Sequence, residues 1–243
     1  MKTILILGAS SDIAKAAALR FAQEKFNVIL AGRDIQNLKI EAKDLSIRHS
    51  VEVKAAEFDA LKFKSHSAFY SALKISPDVV LCAVGILGDQ TRSEENFDHA
   101  KLIIDTNYTG CVSILNIIAE DFKNKKSGTI IGISSVAGDR GRQSNYTYGS
   151  AKAAFSSYLS GLRNRLYKSG VHVITVKPGF VRTRMTEGMK LPGLLTADPS
   201  QAAGDIYRAW KKGKNEIYTR WFWKYIMRII IHIPEGIFKK LNL

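Results

Sequence analysis

Short apolar runs rich in isoleucine and valine alternate with longer segments of helical spacing along most of the chain. Residues 4–7 read as a strand, followed by a helix through about residue 25. Residues 27–31 and 51–55 read as the next two strands, with helices through about residue 47 and over about 64–74. A fourth strand covers 78–83, two helices cover about 94–123, and a fifth strand covers 129–133. A long helix over about 146–168 precedes a sixth strand at 172–176. Strands that are apolar almost throughout belong in a parallel sheet buried on both faces. The repeated strand–helix order predicts an α/β fold with a doubly wound, Rossmann-like parallel sheet. No linker, repeat or low-complexity segment interrupts the pattern. One domain is expected, its main body over 1–217 and a basic amphipathic C-terminal extension over 218–243.

That extension follows from the last hydrophobic pattern. Tyr218, Trp221, Phe222, Tyr225, Ile226, Ile229, Ile230 and Ile233 recur at helical spacing, while Arg220, Lys224 and Arg228 fall elsewhere on the wheel. Pro234 then breaks the helix, and Ile237, Phe238 and Leu241 follow with Lys239 and Lys240. Charge strengthens the reading. The chain carries a formal +14. Residues 208–243 hold nine basic and two acidic residues, a net +7 and so half the total. Aromatic residues on one face with cations beside them suit a helix lying on an anionic membrane surface. Packing of the same face on its own domain or on a partner subunit is the alternative. A nucleic-acid surface is not expected, because the cations interleave with an apolar helical stripe rather than a base-stacking platform.

Other bulk properties set bounds. At 243 residues with 46% hydrophobic composition, the chain can bury a large core. The first residues do not read as a secretory leader, and no run reaches the ~20 apolar residues of a membrane span. Cys82 and Cys111 have no metal-ligand spacing and form no disulfide framework, which points to a reduced, intracellular protein.

The first strand runs straight into a helix through "LGASSDIA". Such a junction aims backbone N–H groups and a helix dipole at one spot, which suits a phosphate. Gly8 permits the sharp turn, and Ser10 and Ser11 can donate hydroxyl hydrogen bonds. Asp12 would repel a pyrophosphate unless its side chain points away and caps the helix. Ala14 is small enough to keep helix and strand close. At the end of the second strand, Gly32 stands where an acidic residue would bind ribose hydroxyls, and Arg33 follows. A guanidinium suits a 2′-phosphate. This favours NADP(H), with NAD(H) the alternative.

The catalytic signal lies in "GISSVAGDRGRQSNYTYGSAKAAF". Tyr148 and Lys152 share a helix face four residues apart, and Ser135 precedes Tyr148 by 13 positions. A phenol has a reference pKa of about 10, and a nearby ammonium favours its phenolate. Together with Gly8–Ser11, Asp59-Ala60, Ala83-Val84-Gly85, Asn107, and Pro178-Gly179 with Thr183, these residues make the chain resemble the short-chain dehydrogenase/reductase family over essentially its whole length.

The resemblance implies roles. Tyr148 is the general acid/base, Lys152 favours its phenolate and holds the nicotinamide ribose, and Ser135 orients the carbonyl. Asn107 supports a water in the proton relay. Asp59 and Ala60 meet the adenine end, and Gly8, Ser10, Ser11, Asp12 and Ile13 meet the phosphates. Ala83, Val84, Gly85, Pro178, Gly179, Val181 and Thr183 complete the cofactor set. Tyr146 is a decoy, because Ser150 and not a lysine lies four residues on. Two departures stand out: Asp12 and Ala14 replace glycines, and Cys82-Ala83-Val84-Gly85 replaces Asn-Asn-Ala-Gly.

Within the family, several short stretches and the tail "HIPEGIFKKLNL" resemble reductases of polyprenyl-phosphate-linked 2-keto-pentoses, which work with a partner oxidase as a 2-epimerase. This implies a lipid-linked keto-sugar substrate and a role in cell-envelope polysaccharide synthesis. The family also implies a homo-oligomer. A soluble carbonyl or 3-oxoacyl reductase, and a non-enzymatic dinucleotide sensor, are the competing readings.

Overall fold

Strand β1 (Thr3–Leu7) runs through the middle of the molecule, and Ile4, Leu5, Ile6 and Leu7 have no exposed surface. Its side chains alternate between two cores. Ile4 and Ile6 join one, Leu5 and Leu7 the other. The computed structural model describes residues 1–241, and the expectation for Asn242 and Leu243 lies outside the described residues. After β1 come α1 (Asp12–Gln23), β2 (Asn27–Gly32), α2 (Ile35–His49), β3 (Val53–Glu57), α3 (His66–Ala72) and β4 (Val79–Cys82). Helices α4 (Gln90–Glu95), α5 (Phe97–Ile104) and α6 (Gly110–Lys125) lead to β5 (Thr129–Ile133). Then follow α7 (Tyr146–Leu166), β6 (His172–Pro178), a small pair β7 (Phe180–Val181) and β8 (Thr196–Ala197), and α8 (Pro199–Lys211). The chain closes with β9 (Glu216–Thr219), α9 (Trp223–His232) and α10 (Glu235–Phe238).

The main sheet has seven strands in the order β3-β2-β1-β4-β5-β6-β9, all parallel. Helices α1, α2 and α8 cover one face, and α6 and α7 cover the other. This is the doubly wound sheet that the alternating pattern predicts. Strand β3 begins two residues later than expected, because Ser46 Oγ donates to the Val51 carbonyl at 2.8 Å and holds Val51 in the turn after α2. The run from Phe97 to Lys125 is long and apolar enough to cross a bilayer by length and composition. Its Ile114, Leu115, Ile118 and Phe122 are nevertheless buried in the second core, as in a core helix.

The tail departs most from expectation. Tyr218 lies in a strand, β9, which pairs with β6 through Thr175–Pro178. The expected division at residue 218 therefore falls inside a strand of the main sheet. Trp221 and Phe222 precede α9 rather than belonging to it. The expected apolar face also splits. Trp223 and Met227 turn inward against Val136, with Phe222, Ile226, Ile230, Phe180 and Leu195 packed around them. Trp221, Tyr225 and Ile229 turn outward. Pro234 does separate the two tail helices, standing as the cap of α10.

The two tryptophans should separate cleanly in stability measurements. Trp223 is 3% exposed and donates its Nε1 proton to the Leu195 carbonyl at 3.1 Å. Trp223→Ala should cost about 3–5 kcal/mol in urea unfolding. Trp221→Ala, on the outer side, should cost less than about 0.5 kcal/mol. Equal losses would mean that α9 does not dock through Trp223.

Candidate active site

All the candidate residues gather at the carboxyl ends of the parallel strands, where open α/β sheets place their ligands. Gly8 ends β1 at φ +76, and a side chain there would come within 2.9 Å of the Ala83 and Val84 backbone. The amides of Gly8 and Ala9 both donate to the Ala31 carbonyl, at 2.9 and 3.0 Å, which closes the turn. Ser11, not Asp12, caps α1: its Oγ accepts from the Ala14 amide at 3.3 Å. Its hydroxyl proton is left for another acceptor. Asp12 occupies the first turn, with Ile13 behind it. Its carboxylate is claimed from far along the chain by Arg184, whose backbone N–H donates at 2.8 Å and whose Nε donates at 3.2 Å. Arg184 Nη2 also donates to the Ser10 carbonyl. The anion that looked awkward in the sequence is thus neutralised by a cation 172 residues away. An unmatched Asp12 signals that some cation is needed, but the sequence cannot say which.

On the neighbouring strand, Gly32 ends β2 and Arg33 follows it. Arg33 is exposed and has no ion-pair partner among the described residues. Asp59 is held in a local turn, accepting from the Leu61 amide at 3.0 Å, and its carbonyl meets buried His66 at 3.0 Å. Ala60 packs over Gly110, where a side chain would come within 2.3 Å of the Ala60 carbonyl. After β4, Ala83 donates to the Leu7 carbonyl at 2.9 Å. Val84 and Gly85 then pass directly beneath the catalytic candidates. A methyl group on Gly85 would lie 2.7 Å from Asn107 Oδ1 and 3.1 Å from Lys152 Nζ. These bare backbone positions form a cradle that fits a dinucleotide.

Asn107 sits in a π turn over Asp105–Thr109 and is fully buried. Its Nδ2 donates to the carbonyls of Ile86 and Ile103, both at 2.8 Å, and its Oδ1 accepts from the Ile86 amide at 3.3 Å. Such π turns inside helices are frequent at functional sites. Lys152 is 3% exposed and donates to the Ile133 carbonyl at 3.1 Å. Its Nζ lies 5.7 Å from the centre of the Tyr148 ring. Ser135 Oγ accepts from the Ala137 amide at 3.1 Å, which fixes its rotamer. The segment after Ser135 touches the start of α7 at two glycines. A side chain on Gly138 would meet the Ala153 amide at 2.7 Å, and one on Gly149 would meet the Ala137 carbonyl at 2.8 Å. Ser134, which sequence reasoning passed over, adds a further tie: its Oγ donates to the Lys152 carbonyl at 2.9 Å. Tyr148 packs against Ala137 and Ile103. Tyr146 is exposed at the start of α7.

A cavity of about 100 Å³ opens beside Tyr148, lined by Leu87, Gly88, Gln90, Ser144, Asn145 and Met189 among others. Asn145 Oδ1 is buried there without a hydrogen-bond partner among the described residues. Nothing in the sequence marks Asn145, since its place in the cavity wall is a tertiary effect. Across the site, Pro178 ends β6, and Gly179 passes so close to Trp223 that a side chain would come within 2.1 Å of the indole. Val181 is buried in β7, and the Thr183 amide donates to Thr186 Oγ1 at 3.1 Å, starting the turn that carries Arg184.

The tail is wired to the segment that follows Ser135. Lys177 bridges Asp139 at 2.9 Å and Glu216 at 3.1 Å. Burial opposes the Lys177 charge, but Asp139 and then Glu216 outweigh it and hold its pKa above the ordinary range. Tyr218 donates to Asp139 at 2.8 Å, and burial together with that carboxylate pushes its pKa up to about 12. Arg140 Nη1 donates to the carbonyls of Ile230, Ile231 and Ile233 and so caps the end of α9. Its Nη2 pairs with Glu235 at 2.9 Å. Cys111, hydrogen-bonded to Cys82 and buried, is pushed well above the ordinary thiol range, which leaves it inert as a nucleophile.

Comparison with known proteins places the chain in a family. The profile of the short chain dehydrogenase family matches residues 2–191. An uncharacterized oxidoreductase of Mycobacterium tuberculosis is 34% identical over 241 residues, covering 98% of this chain and 96% of the relative. Among solved structures, a short-chain dehydrogenase from Sphingobium yanoikuyae in complex with NADPH superposes with a TM-score of 0.83 at 21% identity, covering 97% of this chain and 98% of that one. A 3-oxoacyl-[acyl-carrier protein] reductase from Brucella melitensis superposes with a TM-score of 0.80 at 18% identity, covering 90% of each chain. At those identities the two structures speak for the fold alone. The family profile and the full-length relative establish that the chain belongs to the short-chain dehydrogenase/reductase family and is an NAD(P)-dependent oxidoreductase.

Proposed function

We propose that the protein reduces the keto group of a polyprenyl-phosphate-linked keto-sugar of the 2-keto-pentose type, using NADP(H). When bound, the reduced nicotinamide supplies the hydride. Tyr148 gives its hydroxyl proton to the carbonyl oxygen, so that ketone, hydride and proton together make the alcohol. Ser135 holds the carbonyl oxygen. Lys152 holds the nicotinamide ribose, and Asn107 supports the water that returns the proton. Gly8, Ser10, Ser11 and Ile13 hold the pyrophosphate, with Asp12 kept from it by Arg184. Asp59, Ala60, Ala83, Val84 and Gly85 line the adenine and ribose side, while Pro178, Gly179, Val181 and Thr183 flank the nicotinamide. Arg33 meets the 2′-phosphate, for which its free guanidinium and the missing acid at Gly32 are suited.

The observation that carries the substrate class is the cavity beside Tyr148. Asn145 Oδ1 is buried there, unpartnered among the described residues, beside Ser144 and Gln90. A hydroxylated sugar ring would hydrogen-bond the polar wall formed by Ser144, Asn145 and Gln90, whereas an acyl chain would leave that wall desolvated. Sequence likeness supports the same reading. The stretches Phe58–Leu61, Gly85–Asp89, Asn107–Thr109 and Val181–Met185, and the tail from His232, resemble decaprenylphosphoryl-2-keto-ribose reductase. On that reading the protein works beside a partner oxidase, as a homo-oligomer, at an anionic membrane surface. A soluble ketone or 3-oxoacyl thioester is the rival substrate.

Substrate class is decided by following NADPH absorbance with a detergent-solubilised polyprenyl-phosphate keto-pentose and, separately, with a 3-oxoacyl thioester. Faster turnover of the keto-pentose is expected, and Asn145→Ala should raise its KM by up to about tenfold, the worth of one hydrogen bond. Preference for the thioester, with no effect of Asn145, would sink the sugar assignment. Tyr148→Phe should leave less than about a tenth of the turnover, a loss of at least ~1.4 kcal/mol. NADPH binding, read by fluorescence titration, should persist in that variant, while Lys152→Ala should lose both. For the cofactor, Arg33→Ala should weaken NADPH binding and leave NADH binding nearly unchanged. Equal losses would show that Arg33 does not read the 2′-phosphate.

A further inference from the structure

We propose that the outer side of α9, the β9 edge and the exposed side of α8 form one docking surface for an anionic phospholipid membrane, in which the cleft between α8 and β9 receives a phosphate-bearing headgroup. The proposal rests on the reading of the tail as facing lipid, and it does not depend on which sugar is reduced. Its apolar part is the half of the expected helical face that the fold does not use. Trp221, Tyr225 and Ile229 stand four residues apart and are 74%, 55% and 70% exposed. Trp221 and Tyr225 meet edge to face at 5.9 Å, so the stripe is continuous. Ile237 and Leu241 extend the exposed apolar surface along the tail. Tryptophan and tyrosine flanked by isoleucine suit the headgroup boundary of a bilayer.

The charge around this stripe has one sign, because the acids of the region are already used. Glu216 is held by Lys177 and Glu235 by Arg140. Asp205 is taken by Arg208 and by the Arg220 amide. Lys211, Lys212, Lys214, Lys224, Arg228, Lys239 and Lys240 have no ion pair among the described residues. Two of these cations, Lys212 and Lys214, border a cleft of about 470 Å³ between α8 and β9. Arg208, Lys212, Lys214 and Arg220 line it together with Asp205, which Arg208 already pairs, and Trp221 is among its walls. Trp221 therefore joins an anion-binding cleft to an apolar stripe, the two parts of a phospholipid contact. A second copy of this chain fits poorly, because a two-fold interface sets each patch against itself and like charges would meet.

The surface is also placed to matter. A helix is about 10–12 Å across with its side chains. The inner side of α9 packs on Val136, next to Ser135, and on Phe180 and Leu195 of the segment that borders the site. Docking through the outer side would hold the site within about one helix width of the lipid headgroups.

Flotation with vesicles of mixed phosphatidylglycerol and phosphatidylcholine tests this, without cofactor or carbonyl, so that it stands or falls apart from the reductase assay in detergent. The wild-type protein should float with the anionic vesicles and not with phosphatidylcholine alone. Binding should fall as salt rises and the screening length shrinks from about 10 Å at 0.1 M to about 3 Å at 1 M. Reversing Lys212→Glu and Lys214→Glu together should cut the bound fraction at least about tenfold. Trp221→Ser with Tyr225→Ser and Ile229→Ser should do the same, with thermal unfolding confirming that both variants fold. No flotation of the wild type, or undiminished flotation of both variants, overturns the proposal. Saturable binding of inorganic phosphate without flotation overturns it in favour of a soluble anion. A dimer that the Trp221 variant dissociates, again without flotation, overturns it in favour of self-association.

Discussion

Burying the amino group of Lys152 is the constraint on which the rest of the site depends. A cationic group taken out of water is costly unless hydrogen bonds and nearby polar atoms compensate. Here the Ile133 carbonyl accepts from it, and Asn107 Oδ1 lies across the bare backbone of Gly85. That arrangement needs α7 pressed against the end of β5, which the Ser134 hydroxyl secures by donating to the carbonyl of Lys152 itself. It also needs the segment after Ser135 to touch the first turns of α7, which only Gly138 and Gly149 permit. Tyr148, one turn before Lys152, is carried to its place by the same contacts. The catalytic candidates are therefore one packing unit rather than separate side chains.

The same segment links the site to the tail. Asp139, a few residues after Ser135, gathers Lys177 and Tyr218, and Arg140 closes the end of α9. Charged pairs this enclosed are specific because a lost partner leaves an uncompensated charge. The tail is thus part of the domain, and α9 becomes a helix with two unlike faces. Trp223 and Met227 pack inward with Val136, Phe180 and Leu195, while Trp221, Tyr225 and Ile229 remain outside. A disturbance on the outer face has a short covalent and packed route to Gly179 and Val136.

The phosphate loop shows how a fold tolerates a departure from its family's pattern. The second of the expected glycines is Asp12, whose charge opposes a pyrophosphate. Arg184 answers it from the segment that follows β7, and the same guanidinium reaches the Ser10 carbonyl. The loop's charge is therefore shared between two distant pieces of chain. The segment over the site and the loop beneath it are coupled wherever that pair persists.

By itself the sequence determined the parallel sheet, the helices and the identity of the catalytic candidates. Those features depend on local periodicity and on fixed spacings such as Tyr148 to Lys152, which a chain carries in one dimension. It also showed that the C-terminal region is basic, apolar and aromatic. Only the tertiary structure decided which of those apolar residues face inward. Strand β9 is four residues long and exists by pairing with β6, so the spacing of Tyr218 with Trp221 and Phe222 looked helical when it was not. Trp223 and Met227 were passed over because the inward side of α9 is set by Gly179 and Val136, distant in sequence, and not by the helix's own pattern. Arg184, Asn145 and Asp139 were invisible for the same reason. Each acquires its role from a partner or a cavity supplied by another part of the chain, and a pairing across 172 residues leaves no periodic trace in the sequence.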